Sequence, residues 1–146
     1  MIYLFLFLKL LFRRKYLKNL VIKATEKTPY IDFDLKHNIL KIKGQSYPED
    51  TFKFYTPILT WLNSYKKNLN KNSEILVKLE IIYFNSSTAK VLFDIFDMFE
   101  DIAKTGAKVT VSWLYDEEDE TIKEYGEEFA EDFIYLSFNL VSSKFA

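Results

Sequence analysis

The segment Ile75–Phe84, ILVKLEIIYF, is nearly unbroken in its apolarity and runs directly into the polar tetrad Asn85-Ser86-Ser87-Thr88. Branched and aromatic residues in such a run predict a central strand covered on both faces. Past the tetrad, Val91, Leu92, Ile95, Phe96, Phe99 and Ile102 recur at three-to-four spacing until Gly106, which predicts an amphipathic helix with a glycine stop. A buried strand feeding a one-sided helix commits the chain to a layered α/β architecture, since each element needs the other to cover its apolar surface.

The flanking sequence extends that pattern. Tyr30–Phe33 and Ile39–Ile42 bracket a polar turn from Asp34 to Asn38 and predict a β-hairpin ended by Gly44. Pro48-Glu49-Asp50 has the character of a helix start, and Phe54, Ile58, Trp61, Leu62, Tyr65 and Leu69 give a helix over about 49–68 that Pro57 is expected to kink or divide. Lys108–Tyr115 alternates as a strand, a helix is expected over about 121–131, and Phe133–Val141 supplies a last strand. The order is β-β-α-β-α-β-α-β, and helical connections between strands imply parallel neighbours and right-handed crossovers in a mixed sheet. No repeat or low-complexity linker divides residues 21–146, so a single domain is expected there.

Composition excludes several functions. The chain has no cysteine and a single histidine, His37, so it holds no disulfide, thiol nucleophile or thiolate-bound metal. Residues 1–24 carry six basic side chains and no acid, whereas residues 116–132 carry ten acids and one lysine. An acidic carboxyl half is unsuited to nucleic acid, which demands a broad basic face. The five adjacent acids Asp116–Glu120 lack the spacing and glycine of a calcium loop and read as a solvated turn feeding the next helix; no metal or other cofactor is expected.

The amino terminus, MIYLFLFLKLLF followed by Arg13, Arg14 and Lys15, places its charges after the apolar run rather than before it, unlike a secretory signal. It is also shorter than the ~20 residues that span a bilayer. Contact of residues 1–16 with a membrane surface is one reading. The preferred expectation is that residues 1–20 are an extension outside the domain, translated from too early a start.

The tetrad holds the candidate chemistry. Taken alone, Asn85, Ser86, Ser87 and Thr88 at a helix start are the residues that cap orphan N–H groups. A hydroxyl on such a turn is also placed to accept phosphate, which the helix terminus favours. A nucleophilic serine is a third reading, but it lacks a nearby base and a Gly-x-Ser-x-Gly elbow.

Four separated motifs bear on that choice: Ser46-Tyr47-Pro48-Glu49-Asp50, Phe54-Tyr55-Thr56-Pro57 with Trp61, Tyr83 to Lys90, and Trp113-Leu114-Tyr115 running into the acids. Together, over roughly Ile22 to Leu140, the chain resembles the SiaC-type regulatory phosphoproteins, relatives in fold of the STAS-domain anti-sigma-factor antagonists. The resemblance implies a STAS-like single domain that catalyses nothing and works in the bacterial cytoplasm as a partner switch. A serine/threonine kinase of the histidine-kinase-like ATPase type would phosphorylate it, and a PP2C-type phosphatase would reverse this. The unphosphorylated form would bind and activate a diguanylate cyclase, controlling cyclic-di-GMP and biofilm formation. The family's acceptor position maps onto Ser86, with serine in place of the expected threonine; Ser87 and Thr88 are alternates. Asn85, Lys90 and Asp94 are expected to share the partner-facing surface, and Phe93, Phe96 and Phe99 to pack in the core. The alternative is a STAS-like module that binds a protein or small ligand without phosphorylation.

Overall fold

The computed structural model describes the backbone of residues 1–15 and 17–145 and the side chains of residues 1–8 and 17–145. In chain order the elements are α1 (Ile2–Lys15), β1 (Leu20–Ile22), β2 (Tyr30–Asp34), β3 (Ile39–Ser46), α2 (Thr51–Lys67), β4 (Glu74–Phe84), α3 (Ser86–Lys104), β5 (Lys108–Asp116), α4 (Glu120–Glu131) and β6 (Ser137–Ser143). The β-β-α-β-α-β-α-β series is present, preceded by a helix and a short strand that the hydropathy pattern did not announce. β1 has only three residues, too few for a periodic signal; Trp61 holds its approach by donating from Nε1 to the Lys18 carbonyl at 2.7 Å.

The strands form one sheet in the order β1-β2-β3-β4-β5-β6, antiparallel through β3 and parallel from β3 to β6. Register carries one row of apolar side chains across it: Leu20, Phe33, Leu40, Val77, Val111 and Phe138. The helices cover that row. Trp61 of α2 packs on Phe33 at 5.1 Å between ring centroids, Phe96 of α3 meets Phe138 at 5.2 Å, and Phe129 of α4 meets Trp113 at 5.5 Å. This is a STAS-like mixed α/β sheet with α2, α3 and α4 on a single face.

That placement corrects the expectation that β4 is covered on both faces. Ile75, Val77, Leu79 and Ile81 are buried, while Lys78 and Glu80 lie on the other side among Lys41, Lys43 and Leu114, and Ile82 is exposed. The reason is topological. Each crossover from β3 onward steps to the next strand in the same direction, and right-handed crossovers that all step one way put every helix on one side.

Three boundaries also differ. β3 continues through Gly44, whose φ of +120° sits beside the register shift at Gly44/Gln45, so the glycine makes a bulge instead of an end. Pro57 does not divide α2; Tyr55, Ile58, Trp61, Leu62 and Tyr65 are buried on both sides of it and hold the helix continuous. β6 begins at Ser137, not Phe133, because Glu100 captures the intervening backbone: its buried carboxylate accepts from the N–H groups of Ile134, Tyr135 and Leu136. Of the three phenylalanines expected in the core, Phe96 and Phe99 are fully buried, whereas Phe93 is 38% exposed and rests on Phe133.

Candidate functional site

Parallel strands followed by helices bring the carboxyl ends of β3, β4 and β5 to one edge of the sheet, together with the amino termini of α2, α3 and α4. Each helix there starts on a side-chain cap. Asp50 accepts from the Lys53 N–H at 3.0 Å, Asn85 from Thr88 at 2.9 Å and Asp119 from Ile122 at 3.0 Å.

The tetrad splits according to position. Asn85 is the N-cap in extended conformation, and its carbonyl accepts the first helical bond, from Ala89. Ser86 and Ser87 are the first two helical residues, and both are exposed. Thr88, one position on, is fully buried. Its hydroxyl donates to the Ser46 carbonyl at 3.0 Å and lies 3.0 Å from Ser46 Oγ, which is 2.6 Å from the hydroxyl of Tyr55. Placed head to tail, the protons of Tyr55, Ser46 and Thr88 give every hydroxyl one acceptor. Burial pushes the Tyr55 phenol up to about 12, opposed in part by its bonds to Ser46 and Thr88, so it stays a neutral donor.

This chain of hydroxyls ties the end of β3 and the first turns of α2 and α3 into one unit. A further backbone bond, from Asn85 N–H to the Ser46 carbonyl, closes it. Ser86 is thus an accessible hydroxyl on a fixed helix terminus. Thr88 is committed to the core, and its hydroxyl is withheld from solvent.

Lys90 and Asp94 stand exposed on α3 beyond Ser86, one turn apart. Nearby, Tyr47 and Tyr83 meet edge to face at 5.6 Å, and Phe52 in the first turn of α2 is 80% exposed. Ile82 and Tyr83 are also about half exposed, so the edge combines two free hydroxyls with an apolar surface. Composition pointed to none of Ser46, Tyr55 or Phe52 as part of this site. The signal that was available is the pairing of Ser46 with Phe84 at the ends of adjacent parallel strands, which follows once the topology is known.

The acidic turn lies along the same edge. Asp116 accepts from the N–H groups of Glu118 and Phe145, both at 2.9 Å, and those bonds, led by Glu118, hold its carboxyl below the usual carboxylate range. Its oxygens fasten the turn to the carboxyl-terminal segment. Among the described residues no cluster of three or more His, Asp or Glu side chains is arranged to hold a metal ion.

The profile of the SiaC family regulatory phosphoproteins matches residues 22–143. The chain belongs to that family. It is similar to an uncharacterized protein of Pseudomonas aeruginosa strain UCBPP-PA14, at 31% identity over 116 residues, covering 80% of this chain and 90% of that protein. Among solved structures it is similar to SiaC of Pseudomonas aeruginosa, with a TM-score of 0.75 and 27% identity over 85% of this chain and 99% of that one. A chain in the crystal structure of the diguanylate cyclase SiaD in complex with its activator SiaC, from the same species, gives a TM-score of 0.79 and 29% identity. It covers 85% of this chain and 99% of that one. As a SiaC family member, the protein is a regulator, not a catalyst.

Proposed function

We propose that this protein is a phosphorylation-switched adaptor whose unmodified form binds and activates a diguanylate cyclase, and whose phosphorylation on Ser86 releases it. The observation that carries the reading is the exposed Ser86 hydroxyl at the first residue of α3, in a member of a phosphoprotein family whose relative SiaC is the activator of SiaD. The kinase is of the histidine-kinase-like ATPase type and the phosphatase of the PP2C type, and the output is control of cyclic-di-GMP and of aggregation or biofilm formation. Ser87 is the alternate acceptor. Thr88 ranks last, because phosphate there requires breaking its bond to Ser46.

Magnitudes place the switch at an interface. A phosphate brings about −1.5 to −2 charge and gains roughly 0.3–2 kcal/mol from a helix terminus, against roughly 5–15 kcal/mol holding a domain folded. The fold therefore survives modification. Against a partner lacking matched cations, the same charge costs several kcal/mol to bury, and each 1.4 kcal/mol is about tenfold in affinity. The apolar surface of Phe52, Ile82 and Tyr83 beside Ser86 gives the partner something to cover, and Lys90 and Asp94 extend that surface along α3.

The test is incubation with ATP and the kinase encoded nearest to the protein, followed by peptide mass spectrometry and phosphatase treatment. A single reversible phosphate on Ser86, absent from Ser86→Ala, is the expected result, with Ser86→Ala remaining bound to the cyclase. An unmodified 85–88 segment would instead leave a module that binds without phosphorylation.

A further inference from the structure

One exposed surface of the protein lies outside the proposed switch. In α1 the side chains of Ile2 to Leu8 are each between 45% and 87% exposed, and all seven are large and apolar. Isolated exposed leucines are ordinary, but a contiguous run of this kind marks an interaction surface. We propose that α1 docks the protein on an anionic lipid surface, with its apolar turns in the headgroup–acyl boundary and its basic end on the headgroups.

Length and charge both select that occupant. Fourteen residues at 1.5 Å per residue make a helix about 21 Å long, short of the roughly 30 Å hydrocarbon core, and no described helix is long and apolar enough to cross a membrane. The charge of the segment is one-sided: Lys9 within α1, Arg13, Arg14 and Lys15 at its carboxyl end, and Lys18 and Lys23 after it, with no acid before Glu26. Apart from Lys9, the basic residues follow the apolar ones along the helix axis, so that a shallow insertion of the first turns would leave the basic end of α1 toward the lipid phosphates. The carboxyl end of a helix also favours cations. The acidic stretch over 116–132 would oppose a membrane pressed against its own side of the domain, so binding through the amino-terminal segment is the arrangement that avoids repulsion. Held at the surface, the adaptor would search for its partners in two dimensions.

The experiment uses the full chain in co-sedimentation with phosphatidylcholine vesicles, with and without phosphatidylglycerol, at low and high sodium chloride. Binding to the anionic vesicles that falls with salt is expected. Near an anionic surface each basic residue is worth about fivefold in affinity, so Arg13→Gln/Arg14→Gln/Lys15→Gln should weaken binding by on the order of 100-fold. Leu4→Asp/Phe7→Asp should abolish it, while the thermal melting of that variant stays at the parent value because both side chains are more than half exposed. The proposal is overturned if the parent chain ignores anionic vesicles, or if it binds neutral vesicles equally well. It is also overturned if sedimentation velocity shows copies of the chain associating through α1 in place of lipid binding, disrupted by the same aspartates.

Discussion

Gly126 sits in the middle of α4, where a glycine ordinarily weakens a helix by about 1 kcal/mol relative to alanine. Here the substitution is expected to act the other way. A Cβ at position 126 would lie 2.5 Å from Cδ1 of Trp113, a side chain that is 1% exposed and fixed by its Nε1 bond to the Ile122 carbonyl at 2.9 Å. Since the indole has nowhere to move, Gly126→Ala should destabilise the protein by about 1–3 kcal/mol despite its better helix propensity, seen as a lower urea midpoint. The Tyr55–Ser46–Thr88 chain makes a second prediction. Thr88→Val keeps the shape but removes the acceptor of the Ser46 hydroxyl proton, and should cost about 1–3 kcal/mol; Tyr55→Phe removes one hydroxyl from the end of the chain and should cost about 1 kcal/mol. The same urea titrations check both, and unchanged midpoints in both variants would mean that the hydroxyl chain adds nothing to stability.

At the level of elements, the loop between α4 and β6 depends on a carboxylate from a third element. Glu100 of α3 is 5% exposed and takes up three successive N–H groups that a sheet would otherwise have claimed, leaving Ile134 and Tyr135 facing solvent. Glu100→Ala should strand those donors, costing about 1–3 kcal/mol, and amide exchange at 134–136 should accelerate well beyond that in β4. This also marks where the sequence was legible. Strands and helices with an unbroken period, such as the β2–β3 hairpin, α3 and β5, were readable because burial on one face writes that period into the chain. The start of β6 was not, because Phe133-Ile134-Tyr135-Leu136 has strand composition and only a residue over thirty positions away diverts its backbone. β4 looked doubly covered because Ile82 and Tyr83 continue its apolar run onto the exposed edge. At the site, the capping tetrad was readable from residue types, and Ser86 from the family resemblance; the burial of Thr88 was not, because it depends on Ser46 arriving from the neighbouring strand.

For the whole molecule, several exposed carboxyls are held below their ordinary values: Asp34 chiefly by His37, Glu49 chiefly by Lys27 and Asp116 chiefly by the Glu118 N–H. A carboxyl lowered in the folded state contributes stability that is complete above its ordinary value, 3.8 for Asp34 and Asp116 and 4.5 for Glu49, and is lost as pH falls through the lowered native value. Urea midpoints should therefore hold steady from about pH 7 to about pH 5 and drop below about pH 4, with Asp116→Asn flattening part of that drop. The sheet's strand order has a separate consequence. Because spatial order follows chain order from β1 to β6, every strand from β2 onward finds its neighbour already made by the residues before it. No strand has to be inserted between two others. A chain emerging from the ribosome can thus build this domain by accretion, the amino-terminal hairpin serving as the first template and each later helix–strand unit being laid against a finished edge.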